Sequence, residues 1–128
     1  MKLLFDTHTF IWWDSDPERL SDKALELCQN ENNELILSTV SLWEMQIKIQ
    51  IGKLQFDKPL KEIVEQQKTT NQIVLLPVHP DHIFALEKLP SAHKDPFDRL
   101  LIAQAKMEEA LLVSADRVFS SYPVEVVW

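Results

Sequence analysis

Leu35-Ile36-Leu37-Ser38-Thr39, followed closely by Ser41-Leu42-Trp43-Glu44-Met45-Gln46-Ile47-Lys48-Ile49-Gln50-Ile51-Gly52, is the stretch that decides the fold. Its first part is a short apolar run of the length a buried strand takes. Its second part spaces Leu42, Met45 and Ile49 at helical intervals and stops at the only glycine in the chain, a natural C-cap. The same alternation extends in both directions. Lys2–Phe5 reads as a buried strand, followed by an apolar segment at 9–13 and a break at Asp14-Ser15-Asp16-Pro17. Residues 21–30 read as a helix on the spacing of Ala24, Leu25 and Cys28. Downstream, Pro59 opens a helix that reaches about Thr69 with Leu60, Ile63 and Val64 facing inward. A third strand at 73–78, a short helix at 81–88 and a polar loop at 89–94 come next. A long helix at 97–109, a fourth strand at Leu111–Val113 and an edge strand at 124–127 complete the pattern. Strands separated by helices imply right-handed crossovers and a mainly parallel sheet covered on both faces, the α/β class.

With 128 residues, 45% of them apolar, the chain has the size and composition of one domain spanning 1–128. It carries 20 acidic against 13 basic residues, a net charge of −7, which argues against gripping nucleic acid by bulk positive charge. One glycine excludes a Walker loop, a dinucleotide fingerprint and a hydrolase elbow, since each needs several. One cysteine, Cys28, supports neither an internal disulfide nor a zinc cluster. Met1-Lys2 leads directly into a short apolar run, with no secretory signal, and no apolar stretch approaches a membrane span. A cytoplasmic setting, with no membrane partner, is expected.

The chemistry must therefore come from acidic and hydroxyl side chains. In open parallel sheets, ligands bind beyond the carboxyl ends of the strands. Asp6 closes the first strand, Glu44 follows the second, Asp95 and Asp98 open the helix before the fourth, and Asp116 follows that strand. Carboxylates crowded together raise one another's pKa unless a cation intervenes, and oxygen ligands favour Mg2+ or Mn2+. Most of these acids also have a local explanation. Ser41-Leu42-Trp43-Glu44 matches a capping box, with Glu44 in the first helical turn, and Asp95-Pro96 an N-cap followed by proline at the first helical position. Asp98 suits the helix dipole, and Asp116 suits a turn. Asp6 alone ends a strand where neither cap nor bend calls for an acid. Asp6-Thr7-His8-Thr9-Phe10 has a superficial likeness to the Asp-x-Asp-x-Thr signature of haloacid-dehalogenase-like phosphatases, but His8 stands where the second aspartate belongs.

Four blocks together give a more specific match. They are Leu3-Leu4-Phe5-Asp6-Thr7-His8, then Ser38-Thr39-Val40-Ser41-Leu42-Trp43-Glu44, and the run from His93-Lys94-Asp95-Pro96-Phe97-Asp98-Arg99 through Leu100-Leu101-Ile102-Ala103-Gln104-Ala105. The last is Leu112-Val113-Ser114-Ala115-Asp116-Arg117-Val118-Phe119. In this order the chain resembles PIN-domain proteins, and among them the VapC-type toxins of bacterial toxin–antitoxin pairs. The resemblance implies a three-layer α/β/α sandwich and a Mg2+- or Mn2+-dependent endoribonuclease. It also implies a homodimer neutralised by a cognate antitoxin. The family's acidic residues fall on Asp6, Glu44, Asp98 and Asp116, with Asp95 supporting. His8 stands where many PIN domains have Asn or Ser, a departure beside Asp6.

On this reading Asp6, Glu44 and Asp98 hold a metal ion, with Asp116 completing the site or helping a second ion, and the attack on RNA is made by a metal-activated water. Ser114 and Thr7 are candidates for hydrogen bonds to carboxylate or phosphate, although for Thr7 a bond to nearby backbone is the expectation. Arg99, Lys94 and Arg117 flank the acids and are expected as solvated or ion-paired charges, and Lys48 and Lys53 share that ambiguity. His79 and His82 flank a turn and are expected at the surface. Trp12, Trp13 and Trp43 are expected in the core or at a dimer contact rather than stacked on bases. Two other readings stand beside the nuclease. One is an inactive PIN-like binding module, which would normally show a missing acid. The other is a Mg2+-dependent phosphoacceptor domain, which lacks its acidic pair and its aspartate after the third strand. The charge pattern also suggests an antitoxin that offers an apolar segment and a basic side chain to the acidic pocket.

Overall fold

A strictly alternating strand decides which faces of the sheet must be covered, because successive side chains point to opposite sides. In the computed structural model, which describes residues 1–91 and 94–128, Leu3 and Phe5 of β1 (Lys2–Phe5) enter one core and Leu4 enters another. The neighbouring strands repeat this. Leu35 and Leu37 of β2 (Glu34–Ser38) join Leu3, whereas Ile36 joins Leu4. Val113 and Leu112 of β4 (Leu111–Val113) divide the same way. Fully burying a side chain of this size contributes about 1.5–3 kcal/mol, so the two-faced pattern specifies register strongly.

Among the described residues the sheet has the order β3-β2-β1-β4-β5, with β3 at Val74–Leu76 and β5 at Val126–Val127. All neighbouring pairs are parallel, with Leu3 opposite both Leu35 and Leu111. The first core receives Phe10 from α1 (Thr7–Ser15), Ala24 and Cys28 from α2 (Asp22–Gln29), and Ile63 and Val64 from α4 (Leu60–Asn71). The second receives Leu101, Ile102 and Ala105 from α6 (Pro96–Met107) and is flanked by α5 (Pro80–Phe84). Between them lies α3 (Thr39–Gln50), giving Met45 to one core and Val40 to the other. The α/β/α sandwich and the parallel sheet are as the sequence predicts.

Gly52 performs the predicted cap. It sits at φ +78°, its N–H reaches the Ile49 carbonyl, and the Lys53 N–H returns to the Lys48 carbonyl at 2.8 Å. That pair of bonds closes α3 in a Schellman motif. Several boundaries differ from expectation, among them α6, which ends at Met107, and β5, which is only Val126–Val127. The second strand stops at Ser38, so α3 begins at Thr39 rather than near Ser41. The third strand is only Val74–Leu76, because Pro77 lacks the N–H that would continue the ladder. The helix expected at 81–88 divides into α5 and a 3-10 turn at Ala85–Lys88. His93, quoted in the family motif, lies outside the described residues, as does part of the loop expected at 89–94. Among the described residues no helix is long and apolar enough to cross a membrane.

Candidate active site

Asp6 takes the position immediately after the central strand. Its N–H donates to the Val113 carbonyl of β4, and its side chain caps α1 by accepting the Thr9 N–H at 2.7 Å. The acid thus has the capping role that the sequence offered no reason to expect: α1 starts one residue after β1 ends, so no other side chain is available. The second carboxylate oxygen accepts from the Ser114 hydroxyl. Asp6 is only 6% exposed, and burial pushes its pKa up, opposed by the bonds from Ser114 and Thr9 and by nearby His8. None of the ion pairs among the described residues includes it. It is a desolvated carboxylate that makes no ion pair among the described residues, with the exposed His8 as a nearby source of positive charge, and a further cation would stabilise it.

Glu44 reaches the same edge from α3. Ser38, not Ser41, is the N-cap: its hydroxyl accepts the Val40 N–H at 3.0 Å and also bonds Gln104. This overturns the capping box read in Ser41–Glu44. Starting at Thr39, α3 buries Ser41 in its first turn and places Glu44 in its second, free of any capping duty. Glu44 is instead held sideways. The Thr7 hydroxyl lies 2.7 Å from Glu44 Oε1 and 3.0 Å from Ser41 Oγ, and Lys48 Nζ lies 3.1 Å from Oε2. Thr7 therefore bonds side chains of α3 rather than nearby backbone, and it ties the residue after Asp6 to Glu44.

Asp95 is the N-cap of α6, accepting the N–H groups of Phe97 and Asp98, as its sequence implies. Asp98 is in the first turn of that helix. Because α6 leads into β4 through a short turn, its N-terminus lies toward the carboxyl edge of the sheet. The rings of Trp43 and Phe97, 5.1 Å apart and edge to face, join α3 to α6 next to Glu44 and Asp98. Asp116 caps a 3-10 turn at Arg117–Ser121 by accepting the Val118 N–H, the turn-forming role foreseen for it. Its own N–H donates to Ser114 Oγ at 3.0 Å, so Ser114 links Asp116 to Asp6. Asp6 and Asp116 share a hollow of about 290 Å³ with His8, Trp12 and Ala115.

These contacts join Asp6 with Ser114 and Asp116, and Glu44 with Thr7. Among the described residues, no group of three or more His, Cys, Asp or Glu side chains forms a ready cage for a metal ion. Glu44 in particular is held by Lys48. The donor chemistry still suits a hard divalent cation: the available ligands are carboxylate oxygens, and the most buried of them is in no ion pair among the described residues.

Some of the flanking residues follow expectation and some depart from it. Arg99 is half-buried, and its guanidinium donates to the Pro90 carbonyl at 2.6 Å and approaches the Leu86 carbonyl. Lys94, Arg117 and Lys53 are exposed. Trp12 and Trp13 are half-buried against the first core, whereas Trp43 is 61% exposed. His79 is at the surface, but His82 is 1% exposed, contrary to expectation. Its ring nitrogens meet the His79 N–H, Gln104 and Glu108, and these partners permit its burial. Sequence reasoning also missed Gln104, which is fully buried between Ser38, His82 and the Pro77 carbonyl. The signal was present as one amide inside the apolar run Leu101–Ala105.

A parallel α/β sandwich with carboxylates at its strand ends and helix starts defines the class: an α/β protein with acidic residues toward the carboxyl edge of its sheet. The model of the PIN domain family matches residues 3–125, and the chain belongs to that family. It is 28% identical over 125 residues to Ribonuclease VapC22 of Mycobacterium tuberculosis, covering 94% of this chain and 91% of that one. Its fold is similar to that in VapBC2 from Rickettsia felis bound to a DNA fragment from their promoter, with TM-score 0.75 and 17% identity, covering 99% and 98% of the two chains. VapBC-1 of nontypeable Haemophilus influenzae is similar too, with TM-score 0.67 and 14% identity over 99% and 97%. At those identities the structural likeness is one of fold.

Proposed function

We propose that this chain is a Mg2+- or Mn2+-dependent endoribonuclease, acting as the toxin of a toxin–antitoxin pair. The observation that carries the reading is Asp6: a buried carboxylate at the carboxyl edge of the central strand, outside the ion pairs of the described residues and sharing a hollow with Asp116. Membership of the PIN family and the match to a ribonuclease support it.

In this reading Asp6, Glu44, Asp98 and Asp116 hold the ion. When bound, such an ion supplies acidity to a water molecule and neutralises charge at a phosphate. The residues of the chain supply position. Ser114 holds Asp6 and, through the Asp116 N–H, the loop after β4. Thr7 holds Glu44, while Lys48 neutralises it until another cation competes. Asp95 fixes the start of the helix that carries Asp98. No protein nucleophile is required.

RNA is the substrate, and an antitoxin is the partner, as the VapBC complexes among the structural neighbours suggest. We read residues 1–128 as one such domain that works as a homodimer in the cytoplasm. The test is cleavage of an end-labelled structured RNA by the partner-free protein, with Mg2+, with Mn2+ and with chelator, beside Asp6→Asn. Metal-dependent cuts that vanish in the variant are expected. Full activity in Asp6→Asn overturns the site, and activity untouched by chelator overturns the metal.

A further inference from the structure

We propose that His8 and Trp12 on α1 form a base-binding subsite for single-stranded RNA, seating the nucleobase next to the scissile phosphate; the inference rests on the ribonuclease reading above. The hollow lined by Asp6 and Asp116 is lined by these two residues as well. They are four residues apart on one helix, so they share a face, and their centroids lie 6.1 Å apart. Because Asp6 is the N-cap of that same helix, the rings have a fixed position relative to its carboxylate.

The wall is also held in place. Trp128 lies 5.8 Å from the Trp12 ring, and the Arg19 guanidinium lies over that ring at 4.6 Å. A clamped aromatic surface needs little ordering when a ligand arrives. His8 is exposed, so the outer part of the wall is open to solvent.

A metal site made of carboxylates has no need of flat aromatic rings beside it, whereas a base stacks on them. The charge of the chain strengthens the argument. At net −7, attraction of the chain for the phosphate backbone is weak, so beyond the ion's contact with a phosphate, contacts that salt does not screen gain weight in RNA affinity. Stacking is such a contact, and losing it typically weakens binding on the order of ten- to a hundred-fold per base. Arg19 adds a cation to the ring stack that a neighbouring phosphate or base can use.

The experiment measures KM and kcat in Mg2+ for an RNA whose cleavage position has been mapped, and for the same RNA made abasic beside that position. His8→Ala, a change at an exposed residue, and Trp12→Leu are each expected to raise KM roughly ten-fold on the intact RNA. Trp12→Phe, which keeps a ring, is expected to stay near the unmodified protein. On the abasic RNA the unmodified protein should show the raised KM and the variants should lose little more, since the same contact is already gone. Unchanged KM in both His8→Ala and Trp12→Leu, or losses that add fully to the abasic effect, overturn the subsite and leave the ribonuclease reading standing. Absence of cleavage by the unmodified protein on every RNA and metal tried overturns both.

Discussion

Both oxygens of the Asp6 carboxylate are engaged, one by the Thr9 N–H and the other by Ser114, yet burial still pushes its pKa up. A carboxyl raised in the folded state keeps its proton where the unfolded chain has released it. Stability therefore falls as pH rises from the ordinary carboxylate range through the raised value, and the deficit persists above it. Asn at this position caps almost as well and carries no charge. In chelator, then, Asp6→Asn is expected to melt at the same temperature as the unmodified protein near pH 4 and a few degrees higher near pH 7. Adding Mg2+ or Mn2+ at neutral pH should raise the melting temperature of the unmodified protein alone, because only it has the carboxylate to neutralise. Thermal unfolding across pH, with and without metal, checks both; a variant that melts lower at every pH means that the charge is not a burden. The sequence showed where Asp6 would fall because an apolar strand ends there. Its cap was not legible, since nothing in Phe5-Asp6-Thr7 announces that α1 begins without a loop. Glu44 shows the opposite error. A local capping pattern was visible at Ser41, but the hydroxyl of Ser38, three residues earlier, had already taken the role.

Elements were more legible than their junctions. Apolar spacing located the helices that bury one face, and Gly52 and Asp95 marked real ends, because caps are local chemistry with a fixed position in the chain. What was missed depends on distant residues. The link from Ser38 through Gln104 to His82 joins α3, α6 and α5 across gaps in sequence, so His82 reads as a surface turn residue until α6 is packed over it. The cap at Asp95 supports a prediction at this scale. Removing a side chain that accepts two N–H groups at the start of α6 leaves both without their partner. Asp95→Ala is expected to cost about 0.5–2 kcal/mol of stability, read as a lower urea midpoint with an unchanged slope. Cleavage measured well below that midpoint should fall less than in Asp6→Asn, because in the proposed site Asp95 orients the helix carrying Asp98 and is not one of the residues that hold the ion. Loss of activity equal to that of Asp6→Asn, with stability unchanged, would move Asp95 into the ion's own set.

Across the whole molecule the parallel sheet was legible, since the strand–helix alternation leaves few other connections. Exposed apolar side chains were not, because Trp43, Ile83 and Phe84 look in the sequence like any other core candidates. Charge, which is a sum and needs no fold, was available from the start, and it bears on both partners of the molecule. A chain at −7 that collects acids at one edge of its sheet repels phosphates over most of its surface. RNA binding should accordingly show a shallow dependence on salt, with a slope of log K against log [salt] of only about −1 to −2, against the steeper slopes of proteins that neutralise many phosphates. The same acidic edge favours an antitoxin segment that brings a basic side chain, since a complementary charge both speeds the encounter and offsets the desolvated carboxylate. Converting Asp6, Glu44, Asp98 and Asp116 together to their amides removes that attraction and leaves side-chain shape nearly unchanged. The antitoxin complex is expected to weaken at least ten-fold and to lose most of its salt dependence, measured by titration calorimetry at two ionic strengths. Equal affinity after all four changes would mean that apolar contact alone holds the partner and that the acidic edge serves only metal and RNA.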